Sequence, residues 1–145
     1  MDTAPDSALG AQLDSETGLI PGDPKGVFEW GGYLGIYVGD RPRIHFAESP
    51  HSWESFPLHR VFDIPVREYG PIEAAVELES RDARRSRVLC LGKSWGVFID
   101  GSPDAPQANT LGGGVGAASS RCLVVEKGIA YAYNGTLWAI TGDGA

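Results

Sequence analysis

Apolar residues in this chain recur mainly with the two-residue period of half-buried strands, broken by glycine-bearing turns. Val27-Phe28-Glu29-Trp30, then Gly31-Gly32, then Tyr33-Leu34-Gly35-Ile36-Tyr37-Val38 reads as strand, turn, strand. Two consecutive glycines supply the positive φ that a two-residue hairpin turn requires. Gly39 to Pro42 makes a second turn, and Arg43-Ile44-His45-Phe46-Ala47 a third strand. Residues 48–71 carry Pro50, Pro57, Pro65 and Pro71, which excludes a long helix. A short helix is expected near Trp53 to Phe56, with Ser52 at its N-cap. In residues 72–79, Ile72, Ala74, Val76 and Leu78 alternate with Glu73, Ala75, Glu77 and Glu79. The alternation favours a strand, although alanine, glutamate and leucine prefer helix intrinsically.

A charged turn, Arg81 to Ser86, leads to a strand from Arg87 to Leu91, and Gly92-Lys93-Ser94 turns into Trp95 to Ile99. Residues 101–120 read as one long loop rich in Pro, Gly, Ala and Ser. At the C-terminal end, Ile129 to Tyr133, Asn134-Gly135 and Thr136 to Ile140 fit a hairpin with a two-residue type I′ turn. That register pairs Tyr131 with Trp138 and Ile129 with Ile140. It puts the aromatic residues on one face and Ala130, Ala132, Leu137 and Ala139 on the other. The stretches Val27 to Val38, Val88 to Ile99 and Cys122 to Tyr133 therefore share one plan, a strand, a glycine-bearing turn and an aromatic strand. Their spacing is unequal, which fits a meander rather than a propeller. The expected fold is mainly β: an antiparallel meander forming a two-layer sandwich or small open barrel, with one or two short helices. Residues 1–25, polar and acidic, read as a flexible arm, and 26–145 as a single domain.

The length of 145 residues suits one core. Twelve Lys and Arg against 19 Asp and Glu give a net charge of −7, which argues against nucleic acid as a partner and suits a basic protein. Cys90 and Cys122 sit in apolar runs, as buried thiols do, and two cysteines are too few for a disulfide scaffold. No run approaches 18 apolar residues, and the acidic start lacks the basic region of a signal peptide, so a cytoplasmic location of the bacterial-cytosol kind and no membrane partner are expected.

Few motifs carry chemistry. Gly92-Lys93-Ser94 resembles the end of a phosphate-binding loop, but Arg87 stands where the motif needs a small residue and a strand follows where it needs a helix. Gly112 to Ala118 lacks the preceding strand of a dinucleotide site. His45, His51 and His59 match no zinc spacing, so neither a metal nor a cofactor is expected. Asn134-Gly135-Thr136 has the form of a glycosylation acceptor and is explained by the hairpin turn. Pro21-Gly22-Asp23, Leu34 to Asp40 and Ile44-His45-Phe46 together resemble the strand region of the NlpC/P60 and lecithin-retinol-acyltransferase-like thiol hydrolases. The resemblance implies a catalytic Cys–His pair. Tyr33 and Leu34 occupy the place of the family's histidine, and both cysteines lie in strands rather than at a helix N-terminus.

The reading that remains is a non-enzymatic binding protein, such as a toxin-neutralising immunity protein or an adaptor. Its candidate contacts are Trp53, Glu54, Asp100 and Asp104 from polar loops and turns, with Arg84 and Arg85 from the basic cluster Arg81, Arg84, Arg85 and Arg87. The alternatives are a hydrolase of the thiol kind and a structural subunit of a phage or secretion assembly. The oligomeric state is open.

Overall fold

A computed structural model describes residues 23–50, 55–57, 60–65, 70–80 and 85–144. Among them, eleven strands form three antiparallel sheets. The first sheet runs in order through β1 (Pro24–Trp30), β2 (Tyr33–Val38), β3 (Arg43–Phe46) and β4 (Val61–Asp63). The central sheet comprises β5 (Ala74–Ser80), β6 (Arg85–Leu91), β7 (Gly96–Ser102) and β8 (Ala105–Leu111), also in sequence order. The third holds β9 (Leu123–Glu126), β10 (Ile129–Tyr133) and β11 (Leu137–Ile140), with β10 in the middle. A one-turn 3-10 helix, Ser120–Cys122, precedes β9. β1 starts at Pro24, so Pro24 and Lys25 belong to the first strand. Of the short helix expected at Trp53 to Phe56, residues 53 and 54 lie outside the described residues, and Ser55 and Phe56 are not helical.

The central sheet is buried on both faces. Val88, Cys90, Val97 and Ile99 pack with Phe28, Trp30, Ile44 and Phe46 of the first sheet. Leu89, Leu91 and Phe98 point the other way, onto Ala130, Ala132 and Ile140 of the third sheet. This explains why Val88 to Leu91 and Val97 to Ile99 are continuous apolar runs rather than alternating ones. The sandwich expected from the sequence is present, and a third sheet extends it to three layers.

Within the first sheet the Gly31-Gly32 turn closes a hairpin pairing Trp30 with Tyr33, both glycines having positive φ. One inner row reads Phe28, Gly35, Phe46. A Cβ at position 35 would come within 2.4 Å of the Phe28 ring. Its absence lets the two phenylalanines meet edge to face across β2, with centroids 6.1 Å apart.

Residues 72–79 resolve in favour of the strand: Ala74 to Ser80 pair in register with Leu91 to Arg85. Two other expectations are corrected. The long loop at 101–120 is in large part a hairpin, with Gly96–Ser102 paired to Ala105–Leu111. Its second strand lacks β-branched residues except Thr110 and contains Pro106, which an edge strand tolerates. The C-terminal hairpin closes on three residues, not two. Tyr133 pairs with Leu137, Ala132 with Trp138, Tyr131 with Ala139 and Ala130 with Ile140. Gly135 takes positive φ, and the Asn134 Oδ1 accepts from the Thr136 amide and from Trp138 Nε1. Its Nδ2 donates to the carbonyls of Lys93 and Gly114. One residue of slip moves Trp138 and Ile140 onto the alanine face of β10. Ala130, Ala132, Trp138 and Ile140 point inward, and Tyr131 and Tyr133 point out.

Candidate interaction surface

The outward face of the third sheet follows from this register. β9 contributes Val124 and Glu126, β10 contributes Ile129, Tyr131 and Tyr133, and β11 contributes Leu137 and Ala139. Val124, Tyr131 and Ala139 form one cross-strand row, and Tyr133 with Leu137 the next. Val124 is 61% exposed, Tyr133 52% and Leu137 69%. These are most of the exposed large apolar side chains among the described residues. Scattered apolar exposure is ordinary, but a contiguous apolar face on a rigid sheet is the mark of an interaction site.

The face is held at a fixed distance from the core by the other end of the sheet. Arg87 grips Asp100 with both arms, Nε to Oδ1 at 2.6 Å and Nη2 to Oδ2 at 2.9 Å. Its third nitrogen donates to the carbonyl of Gly142 at 2.7 Å, and its guanidinium lies 4.0 Å from the Phe98 ring centre. Asn109 donates to the same carboxylate. Ser80 donates to Asp143 at 2.7 Å. Gly142 lies against the β5 backbone, where a Cβ would fall 1.9 Å from the Glu79 carbonyl. The residues after β11 are thereby tied to the central sheet, which sets the third sheet in place.

Around the edge of the third sheet runs a groove. Its first part, about 420 Å³, is lined by Val27 of β1, Ala74 to Val76 of β5, and Leu123 to Val125 of β9. Its second, about 520 Å³, continues along Glu77 to Glu79 and is walled by Val125, Lys127, Ile129 and Asp143. Val125 lines both parts. Glu77 lines this part and accepts from the Gly31 amide of the β1–β2 turn at 2.9 Å.

The residues singled out in the sequence are dispersed. Asp100 is buried in the Arg87 pair. Asp104 sits at the β7–β8 turn, exposed, with an oxygen 2.7 Å from Arg60 Nη2. The Arg60 side chain is largely buried beneath it, 5.3 Å from the Tyr33 ring centre. Trp53, Glu54 and Arg84 lie outside the described residues, as do His51 and His59, and Arg85 enters only through the backbone of β6. Of the basic cluster, Arg87 faces inward, a role that a charged turn beside an apolar strand does not announce in sequence. The outer apolar face was missed for a different reason: the expected two-residue turn grouped Tyr131 and Tyr133 with Trp138 and Ile140, whereas the three-residue loop groups them with Leu137 and Ala139.

The chemistry read from single residues is also placed. Cys90 is fully buried, and burial pushes its thiol far above the usual range, away from a nucleophile. Cys122 is half-buried, with the Ser119 hydroxyl 3.7 Å from its sulfur, and both thiols are free. His45 lies on the outer side of the first sheet, away from the Cys90 core. Burial, and then the nearby Arg43, lower its pKa, with Asp63 opposing. Arg43 Nε donates to Asp63 at 2.7 Å, and this bond holds the Asp63 carboxyl below its ordinary value. Gly92-Lys93-Ser94 is a turn between strands, closed by the Gly92 amide donating to the Trp95 carbonyl. Among the described residues, no group of three or more His, Cys, Asp and Glu side chains could hold a metal, and no helix is long and apolar enough to cross a membrane. No protein-family model matches the chain, and no curated protein matches it.

Proposed function

We propose that the protein is a non-enzymatic binding domain whose protein partner seats on the outer face of the third sheet. The observation that carries this reading is the row structure of that face, with Val124, Tyr133 and Leu137 exposed around the half-buried Tyr131 on a sheet clamped from behind. Tyrosines joined to aliphatic side chains on a rigid support supply contact area with little loss of rotamer freedom. The charge of −7 selects a basic partner and speeds its arrival. A toxin-neutralising immunity protein, or an adaptor, is the biological form we assign. Two free thiols suit a reducing cytoplasm. The sealed Cys90 supports a non-enzymatic reading over the thiol-hydrolase one.

The test is capture from native lysate at physiological salt with the wild type and with a Tyr133→Asp/Leu137→Asp double variant. A stoichiometric protein partner held by the first and lost from the second is expected. Identical captures by both would sink the proposal.

A further inference from the structure

Edge strands invite pairing, and three of the six edges among the described residues carry a device against it. β1 has Pro24, Lys25 and a register irregularity between Pro24 and Gly26. β8 has Pro106, and β4 is three residues long. β9 differs: Leu123-Val124-Val125-Glu126 has no proline or lysine, and pairs with β10 without a bulge. Among the described residues its outer edge pairs with no strand, and it opens on the groove described above, whose floor is β5 from Ala74 to Glu79. Six residues of strand give the groove a length of about 20 Å. Its two halves differ in chemistry. One is apolar, through Val27, Val76, Val124 and Val125. The other sets Glu77, Glu79 and Asp143 against a single ammonium, Lys127.

We infer that this groove receives an extended peptide segment of the partner, added as a strand beside β9. Its apolar residues lie toward Val27 and Val124, and a lysine or arginine sits in the half lined by Glu77 and Glu79. Backbone pairing supplies affinity in such additions, and the alternating side chains supply specificity. The charge decides between a segment in trans and the chain's own residues 1–22. Those residues hold Asp2, Asp6, Asp14 and Glu16 and no Lys or Arg, so they mismatch the acidic half. The inference rests on the protein being a binding domain and specifies a second contact, around the sheet edge from the first.

The experiment uses the full chain and two fluorescein-labelled octapeptides, one alternating valine with lysine and one alternating valine with glutamate, read by anisotropy. The lysine peptide is expected to bind saturably and the glutamate peptide at least tenfold more weakly. Glu77→Gln/Glu79→Gln and, separately, Val27→Ser are each expected to weaken the lysine peptide about tenfold. Leu137→Asp should leave its affinity unchanged, and circular dichroism checks that each variant is folded. Equal binding of both peptides, no binding of either, or groove variants that bind like the wild type would overturn the inference. So would a wild type that binds only after Leu19→Asp, which would make residues 1–22 the occupant. Loss with Leu137→Asp but not with the groove variants would leave the outer-face proposal standing and remove this one.

Discussion

The first and third sheets each carry apolar residues on the face turned away from the centre, and among the described residues only those of the first are covered by the chain. Leu34 and Ile36 on β2 pack with Ala47 and Phe56, supplied by the chain that follows β3. That cover is pinned by the Ala47 amide on the Leu34 carbonyl and the Glu48 amide on the Ser55 carbonyl. On the third sheet, the residues following β11 turn toward Arg87 and Ser80 on the inner side, and Tyr133, Leu137 and Val124 stay in water. Apolar residues on two outer faces thus end in different surroundings. Apolar residues on a sheet are part of the core when the chain returns over them, and are available to a partner when it does not.

The largest effect is expected from loosening what fixes the uncovered sheet. Arg87→Met leaves the Asp100 carboxylate buried without its cation and frees the Gly142 carbonyl, which should cost about 3–5 kcal/mol in urea unfolding. Removing part of the cover comes next. Phe56→Ala should cost about 3 kcal/mol, because a fully buried phenylalanine leaves a void that an irregular segment partly refills. Asn134→Ala leaves Trp138 Nε1 and the carbonyls of Lys93 and Gly114 without this partner, at about 1–3 kcal/mol. Leu137→Ser on the uncovered face should fall within about 0.5 kcal/mol of wild type while abolishing partner capture. If it destabilises as much as Phe56→Ala, the two faces do not differ as described.

The smallest effect is a pH dependence confined to the covered sheet. The folded pKa of His45 is lowered, so the unfolded chain takes up the proton first. Stability is then fully present above pH 6.5 and declines as the pH falls below it. His45→Gln should flatten this slope in urea titrations from pH 7 downward. An unchanged slope would assign it to another group.

Much of the fold was legible. The Gly31-Gly32 turn and the alternation of residues 74–80 were readable because each rests on local geometry. The continuous runs Val88 to Leu91 and Val97 to Ile99 carried the signal of a sheet buried on both faces, which needs a third layer. β8 was hidden, since Ala105, Pro106 and Gln107 have no strand preference and acquire their conformation by pairing with β7. The candidate surface was illegible because it depends on one residue of turn length. Asn134-Gly135 is the strongest short hairpin signal, but here Asn134 uses its side chain on the neighbouring 92–95 and 112–116 turns. Tertiary contact thus added Thr136 to the loop. Arg87 was legible as a charge but not as an interior one, because its partner Asp100 lies on the next strand.

That three-residue loop has an evolutionary consequence. Substitutions at Val124, Tyr131, Tyr133 or Leu137 alter what the outer face recognises without entering the space occupied by Leu89, Leu91 and Phe98. Loss of a single codon between Tyr133 and Leu137 would slip β11 against β10, turning Trp138 and Ile140 outward and Leu137 and Ala139 toward the space beside Ala130 and Ala132. Lineages can therefore diversify this surface by point mutation, while the length of the loop is held by selection on folding itself.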